Sequence, residues 1–183
     1  MHLAPEKLES QRLYLRKPQK TDATTIFNNY ARDPDTSRYL TWAPHRSIND
    51  TKRFLNETIK QWDKGKAFSW AIIRRNDQKL LGMIGIAELN VHGAMIGFVL
   101  DKTYWGMGYT TEAVKTLVDW AIGQESIFRV WAVCDTENGA SARVLEKAGM
   151  QQEGILRRWV VLPNISDVPR DCFCYSVVKI LVV

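Results

Sequence analysis

A glycine turn between a strand and a helix is the stretch of this chain best suited to chemistry. Ile96-Gly97-Phe98-Val99-Leu100 is an apolar run, and Thr103-Tyr104-Trp105-Gly106-Met107-Gly108-Tyr109-Thr110-Thr111-Glu112 follows it. Ala113, Leu117, Trp120 and Ala121 then recur at helical spacing. The first N–H groups of a helix lack intrahelical partners and sit at its positive end, so this order makes an anion site without a basic side chain. Glycines let the chain curl and remove the Cβ atoms that would hold a phosphate away from the amides. Thr110 or Thr111 suits the helix cap, and Glu112 suits the first turn. A P-loop would need Lys-Ser/Thr after its last glycine, where Tyr109-Thr110 stands; a dinucleotide fingerprint would need a third glycine in place of Thr111.

The elements that must carry this turn follow from the patterning. Leu8 to Lys17, with Leu13 and Leu15 alternating with Arg12, Tyr14 and Arg16, reads as one half-buried strand ending at Pro18. Thr21 reads as an N-cap for a helix with Ile26, Phe27 and Tyr30 on one face, stopped at Asp33-Pro34-Asp35. The stretch 38–46 is irregular, aromatic and basic. Ser47 with Asp50 forms a capping box for a helix whose inner face is Phe54, Leu55, Ile59 and Trp62. Phe68–Ile73 and Leu80–Glu88 flank Asn76-Asp77-Gln78 as a hairpin, and Asn90 to Gly93 turns the chain into Met95–Leu100. Arg129–Cys134 is a short strand, Ala140–Ala148 a helix closed by Gly149, and Leu156–Val161 and Cys172–Val178 are strands around a loop with Pro163 and Pro169. Strands before, between and after a few helices imply an α+β fold on a mixed central sheet.

A chain of 183 residues with 45% hydrophobic and 25% charged content is long enough for one full core and is not disordered in composition. It reads as a single domain over 1–183. No apolar run approaches a membrane span, and Met1–Lys17 lacks the apolar centre of a signal peptide. Three cysteines argue against a disulfide scaffold and for a reducing, cytoplasmic setting; Cys172 and Cys174, two apart, read as buried thiols on one strand face, and no metal site is expected. The net charge of +5 suits a polyphosphate ligand, but no basic run supports direct nucleic-acid binding.

A second motif is Asn138-Gly139-Ala140-Ser141-Ala142-Arg143-Val144-Leu145-Glu146-Lys147-Ala148-Gly149-Met150. Together the two stretches resemble the GNAT N-acetyltransferases. That family has Gln/Arg-x-x-Gly-x-Gly/Ala as its acyl-CoA pyrophosphate loop, and later Asn-x-x-Ser-x-x-x-Leu-Glu-Lys-x-Gly-Phe, with Met150 replacing the aromatic here. Arg12-Leu13-Tyr14-Leu15-Arg16, Leu81-Gly82-Met83-Ile84-Gly85-Ile86 and Asp171 to Val178 resemble its ribosomal-protein N-terminal (alanine/serine) branch. Two positions depart from the pattern: Thr103 stands where Gln or Arg is usual, and Met95 where this branch often has Glu.

The resemblance implies a mostly antiparallel sheet of about seven strands, helices on both faces, and strands splayed at the acyl-CoA-binding strand. It implies direct acetyl transfer from acetyl-CoA to a primary amine, a protein N-terminus or else a small amine, and pairing into homodimers. Non-catalytic acyl-CoA binding is the rival reading, kept open by Met95. Backbone groups of Phe98, Val99 and Leu100 would pair with the pantetheine arm, with isolated Gly97 suggesting a bulge or a close backbone approach. The amides from Trp105 through Gly106, Met107, Gly108 and Tyr109 to Thr110 would hold the pyrophosphate. Asn138 would bind pantetheine or fix its turn, and Arg143 would reach the adenosine phosphates or stay solvated. Ser141 would protonate the leaving thiolate or merely cap its helix. Glu88, at its strand end, would be the base, acting through water, or an ordinary surface carboxylate. Tyr39, Trp42 and Arg46 would wall the acceptor slot, with Trp42 equally readable as core.

Overall fold

The computed structural model describes residues 4–89 and 92–180, with the backbone alone at 87–89. The first expected strand is two. β1 (Lys7–Glu9) and β2 (Leu13–Arg16) pair as a hairpin, with Ser10 N–H bonded to Leu13 O at 2.9 Å. The alternation that marks a half-buried strand runs only over β2, where Leu13 and Leu15 are buried and Tyr14 and Arg16 partly exposed. Gln19, not Thr21, caps the turn that follows, and Asp22 reaches back to the Gln19 N–H at 2.8 Å. α1 (Ala23–Ile26) widens into a π turn over Phe27–Ala31. Asp33 caps the short α2 (Pro34–Ser37) by accepting from Thr36 N–H, and Ser47 with Asp50 boxes the start of α3 (Ile48–Asp63).

β3 (Phe68–Arg74), β4 (Leu80–Leu89) and β5 (Gly93–Leu100) form an antiparallel meander. After α4 (Tyr109–Ile122) come β6 (Arg129–Asp135), α5 (Gly139–Lys147), β7 (Gln151–Leu162) and β8 (Ser166–Val178). The strand order is β1-β2-β3-β4-β5-β6-β8-β7, an eight-stranded sheet among the described residues rather than one of about seven, and among them only β5–β6 is parallel. The last two strands exceed the expected segments and make one long hairpin. Pro169 therefore lies inside β8, beyond Cys172, the last β8 residue in register with β6, where a missing N–H costs no bond on that side.

Leu13, Leu15, Trp70, Ile72, Ile84 and Ile96 pack with Ala113, Leu117 and Leu145 under α4 and α5. Ala71, Ile73, Leu80 and Met83 pack on the opposite face with Ile26, Tyr30 and Leu55 of the first helices. Gly82 lets β4 approach the end of β5: a Cβ there would lie 2.1 Å from Val99 O. Cys134, Cys172 and Cys174 are free and buried. Among the described residues no helix is long and apolar enough to cross a membrane.

The feature that makes a site is a failure of pairing. β5 and β6 are in register only at Gly93–Arg129, Ala94–Val130 and Met95–Trp131. Beyond that they part, and the outward peptide groups from Ile96 onward have no neighbouring strand.

Candidate active site

The parted strands lead directly into the glycine turn. Asp101, buried, caps a 3-10 turn over Lys102–Tyr104 by accepting from Thr103 N–H at 2.9 Å. Trp105 folds back, its indole N–H bonded to Leu100 O at 2.9 Å. Of the expected Phe98–Leu100 edge, Leu100 therefore has its carbonyl already engaged. Gly106 and Gly108 take φ of +76° and +78°, values that a side chain disfavours. Gly108 itself occupies the N-cap position of α4, so Thr110 and Thr111 are first-turn residues and not caps. Among the described residues none accepts the N–H groups of Gly106, Met107, Gly108, Tyr109, Thr110 or Thr111. Six amides at one helix start fit an anion with several oxygens.

Gly97 marks no bulge, and no protein atom approaches it closely. It pairs regularly with Gly85, and a Cβ on it would meet nothing within 4 Å. The irregularity lies one step earlier, between Ile86 and Glu88 of β4. Phe98 packs toward α4 and Val99 toward the opposite core.

Across the gap, Asn138 caps α5, its side-chain oxygen accepting from Ser141 N–H at 3.1 Å. Asn138 therefore fixes the turn, and the capping role considered for Ser141 is already filled. The Ser141 hydroxyl is half-buried with no described partner. Arg143 is exposed and lies back over the helix start, its Nη1 at 3.3 Å from where a Gly139 Cβ would be. The turn before Asn138 is braced by Asp135, whose carboxylate accepts from Arg170 (2.5 and 3.1 Å) and from Glu137 N–H. Burial works against that charge, yet the Arg170 bonds hold the Asp135 carboxyl below its usual range.

The segment 33–46 bridges the mouth of the gap. At the β5 side Lys102 pairs with Asp33 and Asp35, both at 2.9 Å. At the β6 side the Tyr39 hydroxyl donates to Glu137 O at 3.4 Å. The tip of the β7–β8 hairpin closes the triangle, with Asn164 Nδ2 donating to Ser37 O and Trp42 O at 2.6 and 2.9 Å. Trp42 is half-buried, its ring tilted against His45 at 5.2 Å, and it packs against the second core. Arg46 is exposed, and its backbone N–H bonds Asp50. Glu88 is in register with Met95, while its side chain lies outside the described residues.

The face of β6 away from α4 and α5 opens into a groove of about 710 Å³ lined by Phe128, Arg129, Trp131, Glu153 and Leu156. Trp131, the last β6 residue in register with β5, lies in its lining. A bulge in β7 between Leu156 and Val160, with Arg158 at φ +49°, accompanies an edge-on contact of Trp159 with Trp131, ring centres 6.4 Å apart.

Sequence reasoning did not find Arg12, Lys102, Asp135, Asn164 or Arg170. Each acts through partners distant in the chain, and Arg12, although part of the Arg12–Arg16 alternation, was given no site role there.

An unpaired strand edge running into a free-amide helix start is the equipment of an acyl-CoA-dependent acyltransferase: an edge for the pantetheine arm and a nest for the pyrophosphate. Residues 12–151 match the acetyltransferase (GNAT) domain family, and the chain belongs to it. It is 30% identical over 174 residues to the uncharacterized N-acetyltransferase YoaA of Bacillus subtilis, covering 94% of this chain and 96% of that one. Two solved structures share the fold. RimL, a ribosomal L7/L12 α-N-protein acetyltransferase in complex with coenzyme A, has TM-score 0.84, 20% identity and 95% and 98% coverage of this chain and that one. The microcin C7 self-immunity acetyltransferase MccE, with acetyl-CoA and AMP, has TM-score 0.86, 21% identity and 96% and 98% coverage. The protein is an N-acetyltransferase and acetyl-CoA is its co-substrate.

Proposed function

We propose that the acceptor is the N-terminal α-amine of polypeptides, ribosomal proteins among them, and that the protein acts as one domain in the cytoplasm. The observation that carries this reading is the charge of the groove at Trp131. Its acidic residue, Glu153, is bound by the Arg129 guanidinium and by Ser176 Oγ, which together hold its carboxyl down at about 2. A polyamine would call for uncompensated negative charge, whereas this groove is open, aromatic and internally neutralised. RimL, whose fold is shared, is itself an α-N-protein acetyltransferase. The fold alone does not choose between acceptors, since MccE shares it too.

Acetyl-CoA supplies an acetyl group on an activated thioester. The edge of β5 from Phe98 holds the arm and directs an N–H at the thioester oxygen, a donor worth most where charge develops. The amides of Gly106, Met107, Gly108, Tyr109 and Thr110 hold the pyrophosphate; Trp105, expected among them, has its N–H bonded to Lys102 O at 3.1 Å. Ser141, kept at the helix start by the Asn138 cap, donates its hydroxyl proton to the departing thiolate. An α-amine has a pKa near about 8, so modest help suffices to deprotonate it, and Glu88 gives that help through water. Tyr39, Trp42 and Arg46 border the acceptor's path.

The test is mass spectrometry of acetyl-CoA reactions with a panel of N-terminal peptides, polyamines and free amino acids. Acetylation of a peptide α-amine is expected. Transfer to small amines alone would overturn the polypeptide reading.

A further inference from the structure

We propose that Arg12, in the turn between β1 and β2, is a ligand of the cofactor's phosphates, completing the amide nest from outside the glycine loop. The inference rests on the reading of Gly106–Thr110 as the phosphate site. From Thr103 to Glu112 the loop carries no basic side chain, so any cation must come from elsewhere.

Arg12 is delivered to that place by an unusual clamp. Its Nε donates to Glu112 Oε2 at 2.6 Å, and its backbone N–H donates to Glu112 Oε1 at 2.7 Å. Ser10 Oγ adds a third bond to Oε1 at 2.7 Å. Although burial raises the Glu112 pKa, these bonds hold its carboxyl below the usual range, so the clamp is ionised at neutral pH. Arg12 Nη1 donates to Met107 O at 3.0 Å, and the guanidinium lies 4.6 Å over the Tyr109 ring centre. Nη2 has no described partner. It lies 3.4 Å from where a Gly108 Cβ would be, at the rim of the six free amides. Nε and Nη1 are therefore spent on fixing the guanidinium's position, and Nη2 is left at the rim of the nest. The Nη2 group is a charge-assisted donor to phosphate oxygens, and anchoring it in advance reduces the entropy lost on binding.

Arg74 marks the contrast. It also stacks on Tyr104 and Tyr109, at 5.0 and 5.8 Å, but both its Nε and Nη2 are bound by Asp77. It supports the tyrosines and has little left to offer a ligand.

The test is titration calorimetry of Arg12→Gln, Arg12→Lys and Gly108→Trp with acetyl-CoA, 3′-dephospho-acetyl-CoA and S-acetylpantetheine. Arg12→Gln is expected to weaken acetyl-CoA about 10- to 100-fold, one to two charge-assisted hydrogen bonds. It should leave S-acetylpantetheine, which lacks those phosphates, unchanged. Retention of the full loss with the dephospho compound assigns the contact to the pyrophosphate; disappearance of the loss assigns it to the 3′-phosphate. Arg12→Lys keeps the charge and should retain part of the affinity, which provides a folded comparison if the glutamine variant unfolds. Equal weakening of S-acetylpantetheine, or unchanged acetyl-CoA affinity, would overturn the proposal. Wild-type binding by Gly108→Trp would instead remove the phosphate-loop reading beneath it.

Discussion

Replacing Ser141 and Asn138 separately by alanine should split two roles that the sequence could not tell apart. Asn138 spends its side-chain oxygen on Ser141 N–H. Removing a cap of this kind costs about 1 kcal/mol, which in a chain of this size lowers the melting temperature by about 2–4 °C. Ser141 stands third in α5, after Gly139 and Ala140, with its hydroxyl unbonded to any described group. Alanine is the better helix former there, so Ser141→Ala should melt at or slightly above the wild-type temperature. If its hydroxyl supplies the proton to the departing thiolate, turnover should still fall on the order of 100-fold or more. The assay is thermal melting together with kcat and KM for acetyl-CoA at saturating acceptor. A Ser141→Ala enzyme with wild-type turnover would refute the proton-donor role. A variant as destabilised as Asn138→Ala would refute the division of labour at the helix start.

Gly82→Ala places a Cβ 2.1 Å from Val99 O and 2.8 Å from Leu100 Cα, both backbone atoms, so β4 and β5 must separate beside the site. A loss of about 1–3 kcal/mol in urea unfolding is expected, and an unchanged midpoint would show that the strands yield freely. Lys102→Ala frees α2 from the loop after β5; acceptor KM should rise several-fold while melting barely moves, since the pair is largely exposed. His45 is shifted below its ordinary pKa of 6.5 by burial, with Asp50 opposing. The unfolded chain then binds the proton more readily, so this contribution to stability is complete above about pH 6.5 and falls as pH drops through the folded value. Wild type should lose more stability than His45→Gln on crossing that window downward, and parallel losses would refute the assignment.

What was legible beforehand follows from how far apart the interacting groups lie in the chain. The capping box at Ser47, the glycine turn before α4 and the helix closed by Gly149 are settled within a few residues, and the sequence displays them. Strand existence was readable from apolar runs; strand extent was not, because β7 and β8 continue through exposed residues held by pairing with each other and by contacts distant in the chain. Pro169 looked like a loop marker because its tolerance depends on β6 ending its pairing at Asp135, a fact of topology rather than of neighbours. Gly97 failed for a related reason: an isolated glycine signals room, but only the register shows whether backbone, side chain or a ligand would use it. The site shows the same division. Its amides come from one continuous stretch, whereas the groups that position them come in pairs a hundred residues apart, as with Arg12 and Glu112, or Asn164 and Trp42. Such pairs are individually ordinary residues. They gain meaning only once the parting of β5 from β6 has created a gap that something must span.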